Sequence, residues 1–167
     1  VISFPDSNLT LAYDITYQQW MIWTDHTGNS FHAVDATYDA QGRHVIQHAT
    51  DGMLYFCNTI YTKDVDNPIE VNIITPNFDA GVRRRKLLTS FEVIADQVAG
   101  SVLQVRCNDD DYNLSAWTSW RQVDLSIRRP MLWKCGAFYK RAYHLRHRSD
   151  TPFRIQAVEL QYDLGAL

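Results

Sequence analysis

The sequence predicts an all-β protein built from antiparallel sheets, with an antiparallel β-sandwich of the jelly-roll kind in its C-terminal part. Two observations carry this. Short runs of β-formers recur at roughly ten-residue spacing between Asp-, Asn- and Gly-bearing turns, the pattern of all-β architecture. The longest periodic run, Lys86–Asp96, alternates with period two and holds Thr89, Phe91, Val93 and Ile94, which disfavour a helix.

Leu9–Asp14 alternates. Gln18–Thr24 is a strong strand with Trp20 and Ile22 on one face and Met21 and Trp23 on the other. Asp25–Ser30 is a turn by composition, Ser30–Ala36 a strand, and Asp39–Arg43 another turn. His44–His48 and Met53–Cys57 flank the turn signal Asp51-Gly52. The order Tyr-Asp, Trp, Trp, then Asp-Gly-x-Leu-Tyr is similar to the blade pattern of Kelch-like β-propellers, and no second copy of it occurs. Residues 1–60 are therefore expected to be propeller-like strands, about one blade, and 61–167 the sandwich, with the boundary in the polar stretch Tyr61–Pro68.

Ile69–Thr75 is a strand and Pro76–Gly81 a loop. In Lys86–Asp96, strict alternation puts Leu87, Thr89, Phe91, Val93 and Ala95 on one face and Leu88, Ser90, Glu92, Ile94 and Asp96 on the other. Val102–Cys107, the polar turn Asn108–Asn113 and Ala116–Trp120 read as a hairpin with a tryptophan-weighted return arm. Arg121–Pro130, Met131–Cys135 and Phe138–Arg148 follow. In the last strand, Phe153–Leu164, the apolar parity switches between Ile155 and Val158, which predicts a β-bulge near Gln156-Ala157.

Length and composition suit a globular protein with a core, and no apolar run is long enough to span a membrane. The chain opens on Val1 rather than Met, from which we expect residues upstream. Cys57, Cys107 and Cys135 are too far apart for a metal or disulfide framework and are expected as buried free thiols. Asn8-Leu9-Thr10 and Asn113-Leu114-Ser115 match the glycosylation pattern, with no secretory signal beside them. The net charge of −3 hides an asymmetry: residues 1–80 carry ten acidic groups against two basic, and residues 81–167 fourteen basic against nine acidic. Such polarity suggests assembly with a partner more than a catalytic pocket.

Few constellations point to chemistry. Asp109-Asp110-Asp111 offers oxygens to a hard cation, but lacks the Gly and the closing Glu of a calcium loop. His144 and His147 are three apart, so a strand turns them to opposite faces; His44 and His48 share a face without a further ligand beside them. There is no Gly-x-Ser-x-Gly and no phosphate-cradling glycine loop, so we expect no enzyme, no metal and no cofactor. The basic features stand out instead. Arg83, Arg84, Arg85 and Lys86 form a run at a strand entry, and Arg128 and Arg129 a second. They are the candidate partner-binding residues, for an acidic protein surface first and nucleic acid second.

The C-terminal motifs are Leu103-Gln-Val-Arg-Cys-Asn-Asp-Asp110, Trp117-Thr-Ser-Trp120, Arg128-Arg-Pro-Met-Leu-Trp-Lys-Cys-Gly136, Lys140-Arg-Ala-Tyr-His-Leu-Arg146, Thr151-Pro-Phe-Arg-Ile155 and Glu159-Leu-Gln-Tyr-Asp163. Over roughly residues 50–164 this order resembles the packaged-DNA stabilisation, or tail hub, proteins of short-tailed phages. Those proteins join a β-propeller to such a sandwich. The chain departs from their pattern at Asp110-Asp111-Tyr112, which stand in place of glycines, and at Lys134-Cys135-Gly136, so the related tail nozzle proteins stay beside the hub as a subfamily. The resemblance implies a structural virion protein of the phage tail, assembled in the host cytoplasm. Its partners would be the other subunits of a homo-oligomeric ring, portal or adaptor, tail needle or spikes, and packaged DNA, with no membrane.

Two other readings follow from the tryptophans. In a carbohydrate-binding sandwich Trp117, Trp120, Trp20 or Trp23 would stack on sugar rings, although a spacing of three puts Trp117 and Trp120 on opposite faces of a regular strand. The Asp-turn-Trp hairpin also looks a little like the Asp-box of sialidases, without an assignable catalytic set.

Overall fold

A computed structural model of the chain describes residues 1–31, 33–49 and 51–165. His32, inside the expected strand Ser30–Ala36, and Thr50 lie outside them. The architecture is all-β: several antiparallel sheets, none closed, and among the described residues no α-helix, only two short 3-10 turns. No helix there is long and apolar enough to cross a membrane. The chain divides into two compact units, Val1–Ile69 and Glu70–Leu167.

The first unit holds β1 (Ile2–Phe4), β2 (Leu9–Asp14) and β3 (Gln19–Trp23) in one sheet, and β4 (Ala33–Tyr38), β5 (His44–His48) and β6 (Leu54–Phe56) in a second. The polar stretch 61–68 forms a small hairpin of β7 (Lys63–Asp64) and β8 (Asn67–Pro68). The turns close as their composition dictates. Asp25 Oδ1 accepts from the backbone of Thr27 and Asn29, and Asp39 Oδ1 from Gln41 and Arg43, so each Asp caps its own loop. Yet among the described residues of this unit only Thr10 and Ala12 are buried.

The second unit is different. β9 (Val71–Ile74), β11 (Val102–Asn108), β12 (Arg121–Asp124) and β15 (Ala142–His147) form one sheet in the order β12-β11-β15-β9. β10 (Lys86–Ala95) is the centre of the other, with β16 (Ile155–Leu164) along one edge and β13 (Met131–Trp133) and β14 (Ala137–Phe138) along the opposite edge. Leu88, Phe91 and Val93 of β10, Leu132 and Phe138 beside it, and Leu103, Val105, Val123, Tyr143 and Leu145 of the first sheet meet in one hydrophobic cluster.

Two bulges set the pairing of β10 with β16. The register jumps from Ile94↔Ala157 to Ala95↔Ile155, leaving Gln156 unpaired where the parity switch placed it. The second was not legible. Leu88 pairs Tyr162 and Ser90 pairs Gln161, so Thr89 is extra, and the strict alternation expected for this strand fails. Leu88 is buried with Phe91 and Val93, not opposite them, and Leu87 is exposed. One extra residue returns three large apolar side chains to the core face.

The return arm of the expected hairpin is corrected too. Leu114–Ala116 is a 3-10 turn capped by Asn113, Trp117–Trp120 is irregular, and the strand begins only at Arg121, with Val105 opposite. Phe138–Arg148 is not one strand either, because Tyr139–Arg141 breaks it between β14 and β15.

Candidate functional site

The basic run does not act as one patch. Lys86 is fully enclosed at 0% exposure, and its Nζ donates to the carbonyls of Val82 and Tyr139, the latter at 2.7 Å. As the first residue of β10 it points to the core face, so its ammonium closes the loop that precedes it. Lys86 is therefore removed from the candidate partner contacts. Arg84 is half-buried and donates to the Gly165 carbonyl, while Gly165 N–H donates back to the Arg85 carbonyl, tying this entry to the end of β16. Arg83 and Arg85 remain exposed.

The second pair divides as well. Arg129 makes a bidentate pair with Glu92, at 2.9 and 2.8 Å, and these hydrogen bonds hold the Glu92 carboxyl below its ordinary range. Arg128 is exposed. The free cations of the second unit's predicted set are thus Arg83, Arg85 and Arg128.

Trp117 and Trp120 are brought together, not set on opposite faces, because their segment is not a strand. Both rings meet the His144 ring edge to face, at 5.6 and 4.9 Å. The guanidinium of Arg106 lies 5.0 Å from Trp117 and 4.4 Å from Trp120, and that of Arg146 lies 4.1 Å over Trp120. Arg106, His144 and Arg146 reach this face because β11 pairs β15 with Arg106 opposite His144 and Gln104 opposite Arg146. Arg146 Nε donates to Gln104 Oε1 at 2.9 Å.

The His144 tautomer follows from its partners. Arg106 Nε donates to His144 Nδ1 at 3.1 Å, so Nδ1 carries the lone pair and Nε2–H donates to Asn72 Oδ1 at 2.9 Å. Burial, then the charges of Arg106 and Arg146, push the imidazole below its ordinary pKa. The result is a neutral histidine wedged under two half-buried indoles whose faces hold arginines. His147 turns the opposite way: it is buried, stacked on Phe153 at 4.4 Å, with Nε2 at 3.0 Å from Ser101 Oγ.

The three aspartates each have a protein partner. Asp109 takes Arg141 in a fork, 2.6 Å from Nε and 2.8 Å from Nη2. Asp110 accepts from Asn113 Nδ2, and Asp111 accepts from Lys140 and Asn77. Asp111 and Tyr112 stand at φ +44° and +66°, the region glycine adopts freely and other residues at a cost. Among the described residues no three His, Cys, Asp or Glu side chains gather as metal ligands.

The thiols are free, as expected, but half-buried rather than buried. Only Cys107 lies in a strand; Cys57 and Cys135 fall one or two residues past strand ends. Burial pushes the Cys107 thiol up.

No protein-family model matches the chain, and no curated protein sequence matches it.

Proposed function

We propose that the chain is a structural subunit of a short-tailed phage tail hub, with the tail nozzle as the alternative place in the same tail. In this reading the second unit is a jelly-roll-like antiparallel sandwich and the first supplies propeller-like strands. They dock to sister subunits in a ring, to portal or adaptor and to tail needle or spikes, and help retain packaged DNA. No catalytic step is assigned to it.

One observation supports the assembly part of the reading. Strand β3 presents apolar side chains on both faces, and all four are exposed: Trp20 59%, Met21 41%, Ile22 65% and Trp23 38%. A strand apolar on both faces belongs in the interior of a larger sheet structure. Ile15, Tyr17, Val34, Tyr38, Leu54 and Phe56 of the same unit are exposed as well. Surface of this kind marks contact with further protein. Blade-like sheets packed side by side in a ring would supply the cover.

The Trp117–Trp120 version of the sugar-binding reading gains nothing here, since arginine guanidiniums lie over both rings.

Electron microscopy and native mass of the full chain test the proposal. A ring, or higher oligomers that break up on Trp20→Ser with Ile22→Ser, supports it. A stable monomer at micromolar concentration whose solubility these substitutions leave unchanged overturns it.

A further inference from the structure

The second unit has a cleft that the assembly reading does not use. It measures about 520 Å³ and lies on the face of the β10 sheet away from the core. Its floor is two cross-strand rows: Trp133–Ser90–Gln161 and Met131–Glu92–Glu159. With strands about 4.8 Å apart, each row is about 10 Å wide. In the first row the short Ser90 leaves a trough between an indole and an amide.

The lining combines an indole, an amide and a paired carboxylate. Trp133 is 54% exposed on this face and leaves its indole open to a ligand. Ser90 Oγ donates to Gln161 Oε1 at 3.4 Å, which turns the amide N–H groups outward. Arg129 holds Glu92 by two hydrogen bonds and fixes its carboxylate against the floor. Glu159 is exposed beside it, an acceptor whose charge also acts on Arg129. The cleft thus offers a flat apolar platform next to donors (Gln161, Arg129) and acceptors (Glu92, Glu159), of which the Glu92–Arg129 pair is held by two hydrogen bonds.

A ligand matching that combination has an apolar C–H face and a rim of hydroxyls. Two carboxylates against one guanidinium leave the cleft negative, which disfavours uronic, sialic and phosphorylated sugars. We infer that the cleft binds a neutral hexose polymer, with a pyranose face stacked on Trp133 and its hydroxyls bonded to Glu159, Gln161 and the Arg129–Glu92 pair. The inference stands apart from the assembly reading, because it needs neither a ring nor the first unit's apolar faces.

Native affinity electrophoresis of the full chain tests it, with dextran, mannan or galactan in the gel, polygalacturonate as the anionic comparison, and poly-lysine titrated separately. At least one neutral polymer should retard the protein and polygalacturonate should not. Trp133→Ala should raise the apparent Kd about tenfold or more, the loss of roughly 1.4 kcal/mol of contact. Glu159→Gln, which keeps shape and hydrogen bonding but removes charge, should admit the anionic polymer. Circular dichroism establishes that each variant is folded, and Trp133→Phe serves if the alanine variant is not. Absence of retardation by all three neutral polymers overturns the inference, as does retardation that Trp133→Ala leaves unchanged. Binding of poly-lysine that Trp133→Ala abolishes, without neutral sugar binding, overturns it in favour of a cationic protein segment.

Discussion

Asp109→Ala should destabilise the second unit far more than Asp111→Ala, although the two residues are next but one in the same turn. Arg141 is 5% exposed. Its guanidinium gives Nε and Nη2 to Asp109 and Nη1 to the Cys135 carbonyl at 2.6 Å, and lies 4.4 Å over the Phe138 ring. Its backbone bonds Phe78 in both directions. Burial works against this charge, but Asp109 outweighs it, so Arg141 holds its proton more tightly than a free arginine. Removing Asp109 leaves a buried cation with two donors unmet. Breaking such a pair costs about 3–5 kcal/mol when both partners are buried. The Asp109 side chain is 44% exposed, so water recovers part of this, and we expect roughly 2–3 kcal/mol. For a unit of this size that lowers the melting temperature by roughly 10–20 °C. The Lys140–Asp111 pair is exposed on both sides, at 45% and 62%, and Asp111→Ala should cost under about 1 kcal/mol. Thermal unfolding followed by circular dichroism separates the two, and Arg141→Met placed on Asp109→Ala should regain part of the loss. Equal effects of the two alanine variants would refute the reasoning. So would stabilisation of the wild type by calcium that chelator reverses and Asp109→Ala abolishes.

Lys86→Ala should cost about 3 kcal/mol or more, through a cavity and two carbonyls left without a donor, while Arg83→Ala stays within about 0.5 kcal/mol; denaturant midpoints that shift equally would count against the division of the basic run. Burial depresses both His144 and His147 below the ordinary 6.5, so the unfolded chain takes up their protons first. Their contribution to stability is therefore complete above pH 6.5 and lost as pH falls below it, and His147→Gln should flatten the dependence of the melting temperature between pH 7.5 and 5.5; a midpoint that rises on acidification contradicts this. Cys107, its thiol raised by burial, should react with a maleimide at pH 7 far more slowly in the native protein than after unfolding, and a native rate equal to the unfolded one would show the strand to be open.

Much of the fold was legible in the sequence, because turns and alternation are local. Asp25, Asp39 and Asp51 close the turns that their composition announced, and the parity switch between Ile155 and Val158 marks a real bulge. The bulge at Thr89 left no such mark: Leu87 and Leu88 are both apolar, so either parity fits the sequence and only the pairing with β16 decides. The same holds for the sites. Four consecutive cations look alike in a sequence, but Lys86 is the first residue inside the strand and inherits its inward direction. Trp117 and Trp120 could be placed only once Leu114–Ala116 was known to coil, and Asp109 could be assigned only with Arg141, thirty-two residues on, in view. Trp133 carries no site signature in the sequence, since its neighbours Glu92, Glu159 and Gln161 come from two distant strands. Its signal was a tryptophan on a strand whose inward position was already taken by Leu132.

The two units spend their aromatic residues differently, and this bears on what each does. In the second unit Phe91, Phe138 and Tyr143 are buried and Trp117 and Trp120 are capped by arginines and a neutral histidine, while Tyr112, Trp133 and Tyr139 stand exposed around that core. That unit has a core of its own, with the Arg106–His144–Asn72 and Asp109–Arg141 hydrogen bonds set around it. In the first unit Tyr17, Trp20, Tyr38 and Tyr61 stand exposed, although its strands pair and its Asp-capped turns are closed. Well-formed hairpins with uncovered apolar faces have settled local geometry and unsatisfied packing. On the assembly proposed above, much of their folding free energy would come from contact with further protein. Stability of the first unit should therefore depend on protein concentration, and that of the second should not.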